Sequence, residues 1–337
     1  MLSEAKHPRL WWNFQLVFRF FPRQRRGQND KGRKNDLGNN SSIGRSIKMM
    51  KESNKNRLLT FVLAVLMTGF VLTFSCGRKS EVHEEEKIEV VVTIPPLAEF
   101  VENVGEDKVE VTVMVPPGAS PHTYEPTSSQ LKKVSQAKIY VKVGSGVEFE
   151  LTWMDKLIGI NKDMMVVNSS QGIDVMGNDP HVWLSPLNAK TMVENICNGL
   201  IRIDPENEEY YVKNKSQYLQ ELTELDDYIR ERLEEIENKK FLVYHPSWGY
   251  FAKEYGLKQI PIEQAGKEPS AKEIKDVVEK AKKHNIKVVF VSPQLSTKSA
   301  EVIAKEIGGQ TMSIDPIAQS YIPNMRIVIE KLTPAMR

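Results

Sequence analysis

The chain has 337 residues, 40% of them hydrophobic and 27% charged, which is length enough for two ordinary domains with packed cores and excludes a disordered polymer. Its net charge of +2 is uneven: residues 1–57 hold 14 Lys/Arg against 4 Asp/Glu, a local +10 that leaves −8 for residues 58–337. An acidic body with interleaved Lys and Glu has no basic stripe for nucleic acid. The two cysteines, Cys76 and Cys197, form no Cys-x-x-Cys pair, so thiolate zinc sites and a disulfide framework are excluded too, and any metal falls to His and carboxylate.

Residues 1–48 pair an aromatic cluster (Trp11, Trp12, Phe14, Phe18, Phe20, Phe21) with a polar Arg/Asn/Gly stretch and carry no period that builds a packed element. Met49 or Met50 is a natural translation start, so the segment before it reads as a mispredicted N-terminal extension. A basic membrane-surface arm is the alternative. Residues 49–76 have the layout of a signal peptide, with Lys51, Lys55 and Arg57 before an uncharged run from Leu58 to Ser75. An uncleaved anchor is the other reading of that run, and both export everything after it. The run closes on Thr73-Phe74-Ser75-Cys76-Gly77, which resembles the bacterial lipobox, with Cys76 as the lipid attachment residue. Phe74 is bulkier than that pattern favours, and the leucine lies one place early, at Leu72. Residues 77–87 then read as a charged tether, and the expected location is the periplasm or the outer face of the cytoplasmic membrane.

From Lys87 onward, β-branched runs alternate with helical patterns, the signature of βαβ units. Four strands are predicted at Glu89–Ile94, Val109–Val115, Ala137–Val143 and Met164–Val167. Four more are predicted at Phe241–Tyr244, Lys258–Ile262, Lys287–Val291 and Gln310–Ile314. Ser185-Pro186 and Asp204-Pro205 mark helix starts, and Ser270-x-x-Glu273 is a capping box. Between the two groups Tyr218, Leu222, Leu225, Ile229, Leu233 and Ile236 recur at helical spacing, which predicts one helix from about Pro205 to Glu237, ~50 Å long. The fold class expected is α/β: two lobes (88–204 and 239–337), each with a mainly parallel four-stranded sheet flanked by helices, joined by a backbone helix within 205–238. A coiled-coil dimer is the competing reading of that helix, but its period drifts, and a monomer is expected. Cys197, in a helix-like stretch, reads as a small buried side chain.

Three of the six histidines fall at predicted strand ends or helix starts, where ligands bind in open α/β sheets. His122 lies in a Pro-framed loop after the second strand, His181 before the helix capped at Ser185, and His245 directly after the fifth strand. Asp315 directly follows the eighth. Taken singly, each His reads as a hydrogen-bonded structural residue; their shared location is what raises a metal reading. Three imidazoles and a carboxylate, two from each lobe, suit a first-row divalent ion of the Zn²⁺ type in the cleft between the lobes. His7, His83 and His284 have no role assigned.

The segments Pro121-His122-Thr123-Tyr124-Glu125-Pro126, Asp179-Pro180-His181-Val182-Trp183-Leu184-Ser185-Pro186, His245-Pro246-Ser247-Trp248-Gly249-Tyr250-Phe251 and Ile314-Asp315-Pro316 resemble, in order, the four metal-ligand motifs of the zinc/manganese solute-binding proteins of ABC importers. Gly144-Ser145-Gly146-Val147-Glu148 and Tyr321-Ile322-Pro323-Asn324-Met325 are similar to further family segments that are not ligands. The resemblance covers about residues 88–337. It implies capture of Zn²⁺, or secondarily Mn²⁺, by His122, His181, His245 and Asp315, and delivery to a permease and, through it, its ATPase. Two features depart from the zinc pattern or bear on it: residues 168–180 lack a His-rich loop, and the third ligand is His245 rather than the glutamate of manganese members. Ser292 stands where many relatives carry an acidic residue. A secreted zinc hydrolase with Glu125 or Glu263 as base is the rival from another class, but no His-Glu-x-x-His occurs and four protein ligands close the ion. A surface adhesin on the same fold is the other alternative.

Overall fold

Val90-Val91-Val92 and Val288-Val289-Phe290-Val291 have no alternate polar position, and they form strands covered on both faces, as parallel sheets require. The computed structural model describes residues 61–63, 87–263 and 266–337. Residues 61–63 are helical; the rest of the expected signal peptide, Cys76, the segment 1–48 and nearly all of the tether lie outside the described residues. Among the described residues no helix is long and apolar enough to cross a membrane.

The first sheet contains β1 (Ile88–Val92), β2 (Val109–Val113), β3 (Ile139–Lys142) and β4 (Met165–Asn168), all parallel, in the order β2-β1-β3-β4. The second repeats this with β5 (Lys240–Val243), β6 (Lys258–Pro261), β7 (Val288–Val291) and β8 (Gln310–Ser313), in the order β6-β5-β7-β8. In both, the order reverses beside the first strand, so the loops leaving the strands on either side diverge and open a crevice. Helices α1 (Pro95–Gly105), α2 (Ser128–Gln136) and α3 (Glu148–Ile160) make the crossovers of the first sheet. Those of the second are α6 (Gly249–Glu254), α7 (Ala271–Lys283) and α8 (Lys298–Glu306). Thr127 with Gln130 and Ser270 with Glu273 form reciprocal capping boxes at α2 and α7.

Between the sheets run α4 (Pro186–Ile203), capped by the Ser185 hydroxyl, and α5 (Glu208–Glu234); α9 (Tyr321–Met336) ends the chain. The connecting helix is shorter than its apolar period predicts, 27 residues or ~40 Å. Pro205–Asn207 forms a separate 3₁₀ turn, and the Asp204 carboxylate accepts from the Asn207 amide and the Tyr211 hydroxyl instead of capping backbone N–H groups. All six predicted apolar positions of that segment are buried. The N-terminal half of α5 bonds to the first lobe, with Asn214 donating to the Val104 carbonyl and Tyr218 to Glu99. Its C-terminal half bonds to the second, where Tyr255 donates to Asp226.

The chain after residue 238 does not stay within the second sheet's layer. Helix α9 packs back on α5, and Tyr321, Met325, Val328, Ile329 and Leu332 join the same core cluster as Val90–Val92 and Leu222. That cluster runs through both lobes; a smaller one, including Leu242, Ile262, Val289 and Ile303, fills the far side of the second. Cys197 is fully buried in α4, and burial raises its thiol pKa. Because Leu225 sits in the shared cluster with no exposure, Leu225→Ala should cost about 2–5 kcal/mol. Urea unfolding followed by tryptophan fluorescence and far-UV circular dichroism should shift in both signals together; displaced transitions would show that the lobes unfold separately.

Candidate metal centre

Each histidine is placed by a local device. His122 follows β2, whose exit is held by Gln130: its Nε2 donates to the carbonyls of Val113 (2.9 Å) and Met114 (2.7 Å) while its Oε1 accepts from the Tyr124 hydroxyl. His181 ends a long loop after β4. Tyr250 of α6 pins that loop, accepting from the Met176 N–H at 2.7 Å and donating to the Asp179 carbonyl at 3.3 Å. Gly249, also in α6, approaches so closely that a Cβ there would lie 2.3 Å from Asp179 Oδ2. His245 leaves the central strand β5, beside Glu263 at the exit of β6. On the opposite wall the turn after β3 is clamped by buried Glu150, which accepts from the N–H groups of Val143 and Gly144 and from Thr93 Oγ1. Gly144 has φ +83°, and a Cβ there would lie 1.8 Å from Asn168 Oδ1, so only glycine fits.

The three imidazoles meet. His245 stands between the other two, its ring centroid 5.4 Å from that of His122 and 5.4 Å from that of His181. Rings bound through one nitrogen to a tetrahedral ion at ~2.0–2.1 Å have centroids roughly 5 Å apart, so the spacing suits a shared ion. Among the described residues no three His, Cys, Asp or Glu groups are drawn close enough, as they stand, to hold a metal ion. The rings line a cavity of about 50 Å³ together with Glu148, Ser247, Ser292 and Gln294, and it opens on a vestibule of about 640 Å³.

Hydrogen bonding decides which nitrogen each ring offers. His181 Nδ1 donates to Asp179 Oδ1 at 2.7 Å, and His245 Nδ1 faces both oxygens of Glu263 at 3.2 Å. A carboxylate at Nδ1 fixes the tautomer with its lone pair on Nε2 and makes that nitrogen more basic. His245 Nε2 is buried without a partner, as are Ser247 Oγ and Gln294 Oε1, and the residues of all three line the cavity. Buried polar atoms without partners are uncommon, and three on one cavity fit a ligand that satisfies them. Desolvation lowers the pKa of His181, against the pull of Asp179. His122 is the most exposed of the three; desolvation of the face it turns to the cavity lowers its pKa, and His245 adds to this against Glu148 and Glu263. Both rings are therefore neutral at neutral pH, with lone pairs available.

Asp315 is placed differently. It follows β8 but does not line the cavity; its neighbours Pro316 and Ile317 do. Its Oδ1 accepts from Gln294 Nε2 and from the Ile317 N–H. Glu125 is exposed and outside the cavity, and Glu263 is committed to His245, which leaves neither free to act as a general base there. His284 sits at the C-cap of α7 beside Lys240, away from the cavity. The roles of Glu263 and Gln294 escape the sequence because each depends on a partner brought close by folding. Asp179, two residues before His181, is the one with a local cue.

Residues 90–335 match the model of the family described as zinc-uptake complex component A, periplasmic. The high-affinity zinc uptake system protein ZnuA of Bacillus subtilis is 34% identical over 274 residues, 74% of this chain and 86% of that protein. The zinc-binding protein AdcA of Streptococcus pyogenes is 30% identical over 80% of this chain, which spans only 60% of AdcA. A crystal structure of ZnuA, 40% identical, superposes with a TM-score of 0.72 over 75% of this chain and all of that one. The chain thus belongs to the family of periplasmic component A proteins of zinc-uptake complexes.

Proposed function

We propose that the chain captures one Zn²⁺ outside the cytoplasm and delivers it to an ABC permease and, through it, its ATPase. It is a solute-binding protein and not an enzyme. The observation that carries this reading is the meeting of three imidazoles, from loops of both lobes, on one cavity where the buried Nε2 of His245 has no protein partner. Nitrogen donors favour Zn²⁺ over Mn²⁺, which prefers oxygen. His122, His181 and His245 bind the ion, Asp315 supplies the fourth ligand, and Asp179 and Glu263 orient two of the rings. The lobes 88–204 and 239–337 form the two walls of the site, with the segment 205–238 as the strut, and the protein acts as a monomer. Cys76 carries a diacylglyceryl anchor that holds it at the membrane. Relatives named for zinc binding and zinc uptake support the choice of cargo.

Competition titration should give one tight Zn²⁺ site per chain, with Mn²⁺ held more weakly. His122→Ala or His245→Ala should lose about 100-fold or more in zinc affinity without unfolding, whereas Glu263→Gln should lose about 10–100-fold. Unchanged affinity in both alanine variants would remove the site.

Because the His122 and His181 pKa values lie below the ordinary imidazole value, proton competition should be slight at pH 7–8 and set in only below about 6.5. Zinc affinity should then fall more than tenfold per pH unit toward pH 5, since several protons are displaced per ion. A profile flat from pH 5 to 8 is the contrary result.

Cys76→Ser should move the protein from the membrane fraction to the soluble fraction, since each buried CH₂ of the acyl chains contributes ~0.8 kcal/mol. Retention of the variant in the membrane would instead favour an uncleaved helical anchor.

A further inference from the structure

Gln294 stands at the exit of β7, in Ser292-Pro293-Gln294, where it lines the cavity and its amide nitrogen bonds Asp315. A carboxylate oxygen only accepts, so the amide nitrogen must face Asp315. Nε2 donates to Asp315 Oδ1 at 2.7 Å, and the backbone N–H of Ile317 donates to the same oxygen at 3.0 Å. Asn324 Nδ2 fixes the backbone of the same residue, donating to the Asp315 carbonyl at 2.7 Å. Asp315 Oδ2 receives no hydrogen bond from the described residues. The Gln294 carbonyl is buried without a partner, so the side chain holds this pose at the expense of its own acceptor, and the bond to Asp315 is what the pose secures.

We infer that Gln294 makes Asp315 a one-oxygen ligand and thereby biases the site toward Zn²⁺ against Mn²⁺. The inference rests on Asp315 being the fourth ligand. Two N–H donors occupy the lone-pair directions of Oδ1 that a bidentate ion would need, which leaves Oδ2 as the oxygen open to an ion. Three nitrogens and one carboxylate oxygen make a four-coordinate tetrahedral set, which suits Zn²⁺. Mn²⁺ favours a larger, oxygen-richer shell and gains most from a second carboxylate oxygen. Ser292, on the same cavity, adds no charge that would offset this preference.

The test compares wild type, Gln294→Met, which keeps length and bulk without the donor, Gln294→Ala and Asp315→Asn. Zn²⁺ and Mn²⁺ dissociation constants are measured by competition at pH 7.5, with thermal melts to establish folding. In whichever Gln294 variant folds, the ratio of zinc to manganese affinity should fall by about tenfold or more, chiefly through tighter Mn²⁺ binding. X-ray absorption of the Mn²⁺ complex should gain an oxygen neighbour relative to wild type. A folded Gln294 variant that keeps the wild-type ratio overturns the inference while leaving the zinc site standing. Asp315→Asn is read separately: weaker zinc binding supports the fourth ligand, and wild-type affinity removes both that ligand and the role of Gln294, with the three histidines untouched.

Discussion

The Trp183 indole N–H donates to the Pro316 carbonyl at 2.7 Å, and this bond ties together the two walls of the histidine-lined cavity. Trp183 lies two residues beyond His181, and Pro316 directly follows Asp315, so the bond ties a proposed ligand segment of one lobe to one of the other. The Tyr321 hydroxyl donates to the Trp183 carbonyl, and the Tyr321 and Ile322 N–H groups at the start of α9 donate to Glu99 of α1. Trp183 and Tyr321 are almost fully buried, where such bonds lose little to water. Loops from two separate sheets can share one small ion only if the lobes keep a fixed distance. The return of α9 across α5 and this buried chain of bonds supply that constraint.

Within the frame, burial and carboxylates divide the work on the imidazoles. Desolvation keeps His181 neutral although Asp179 pulls its pKa upward, so the ring is held in orientation without being held protonated. In the second lobe both oxygens of Glu263 face His245 Nδ1 at 3.2 Å and orient that ring. His122 has no such carboxylate among the described hydrogen bonds. It sits on a loop steadied through Gln130 and Tyr124 and by turn bonds of its own, among them the His122 N–H donating to Ser120 Oγ.

Much of this is legible in the chain. The eight strands follow from short β-branched runs bounded by turn residues, and the three histidines stand out because they fall in loops that leave parallel strands or lead into a helix start. The Ser185 and Ser270 caps are local, and local signals survive folding. The start of α5 is placed too early by the sequence because Asp204-Pro205 resembles a helix cap, yet Asp204 spends its carboxylate on Asn207 and Tyr211. The packing of α9 against the first lobe, the commitment of Glu263 to His245 and the grip of Gln294 on Asp315 are not readable there. Each joins residues far apart in the chain, and a single sequence holds no signal for which carboxylate faces which ring.

The central claim is that one ion is shared by three imidazoles from both lobes. A crystal structure of the zinc-loaded chain with anomalous scattering at the zinc edge tests it most directly. One strong peak is expected in the cavity, ~2.0–2.1 Å from Nε2 of His245 and from one ring nitrogen each of His122 and His181. A zinc peak outside that cavity, or one that leaves any of the three rings beyond bonding distance, would contradict the account.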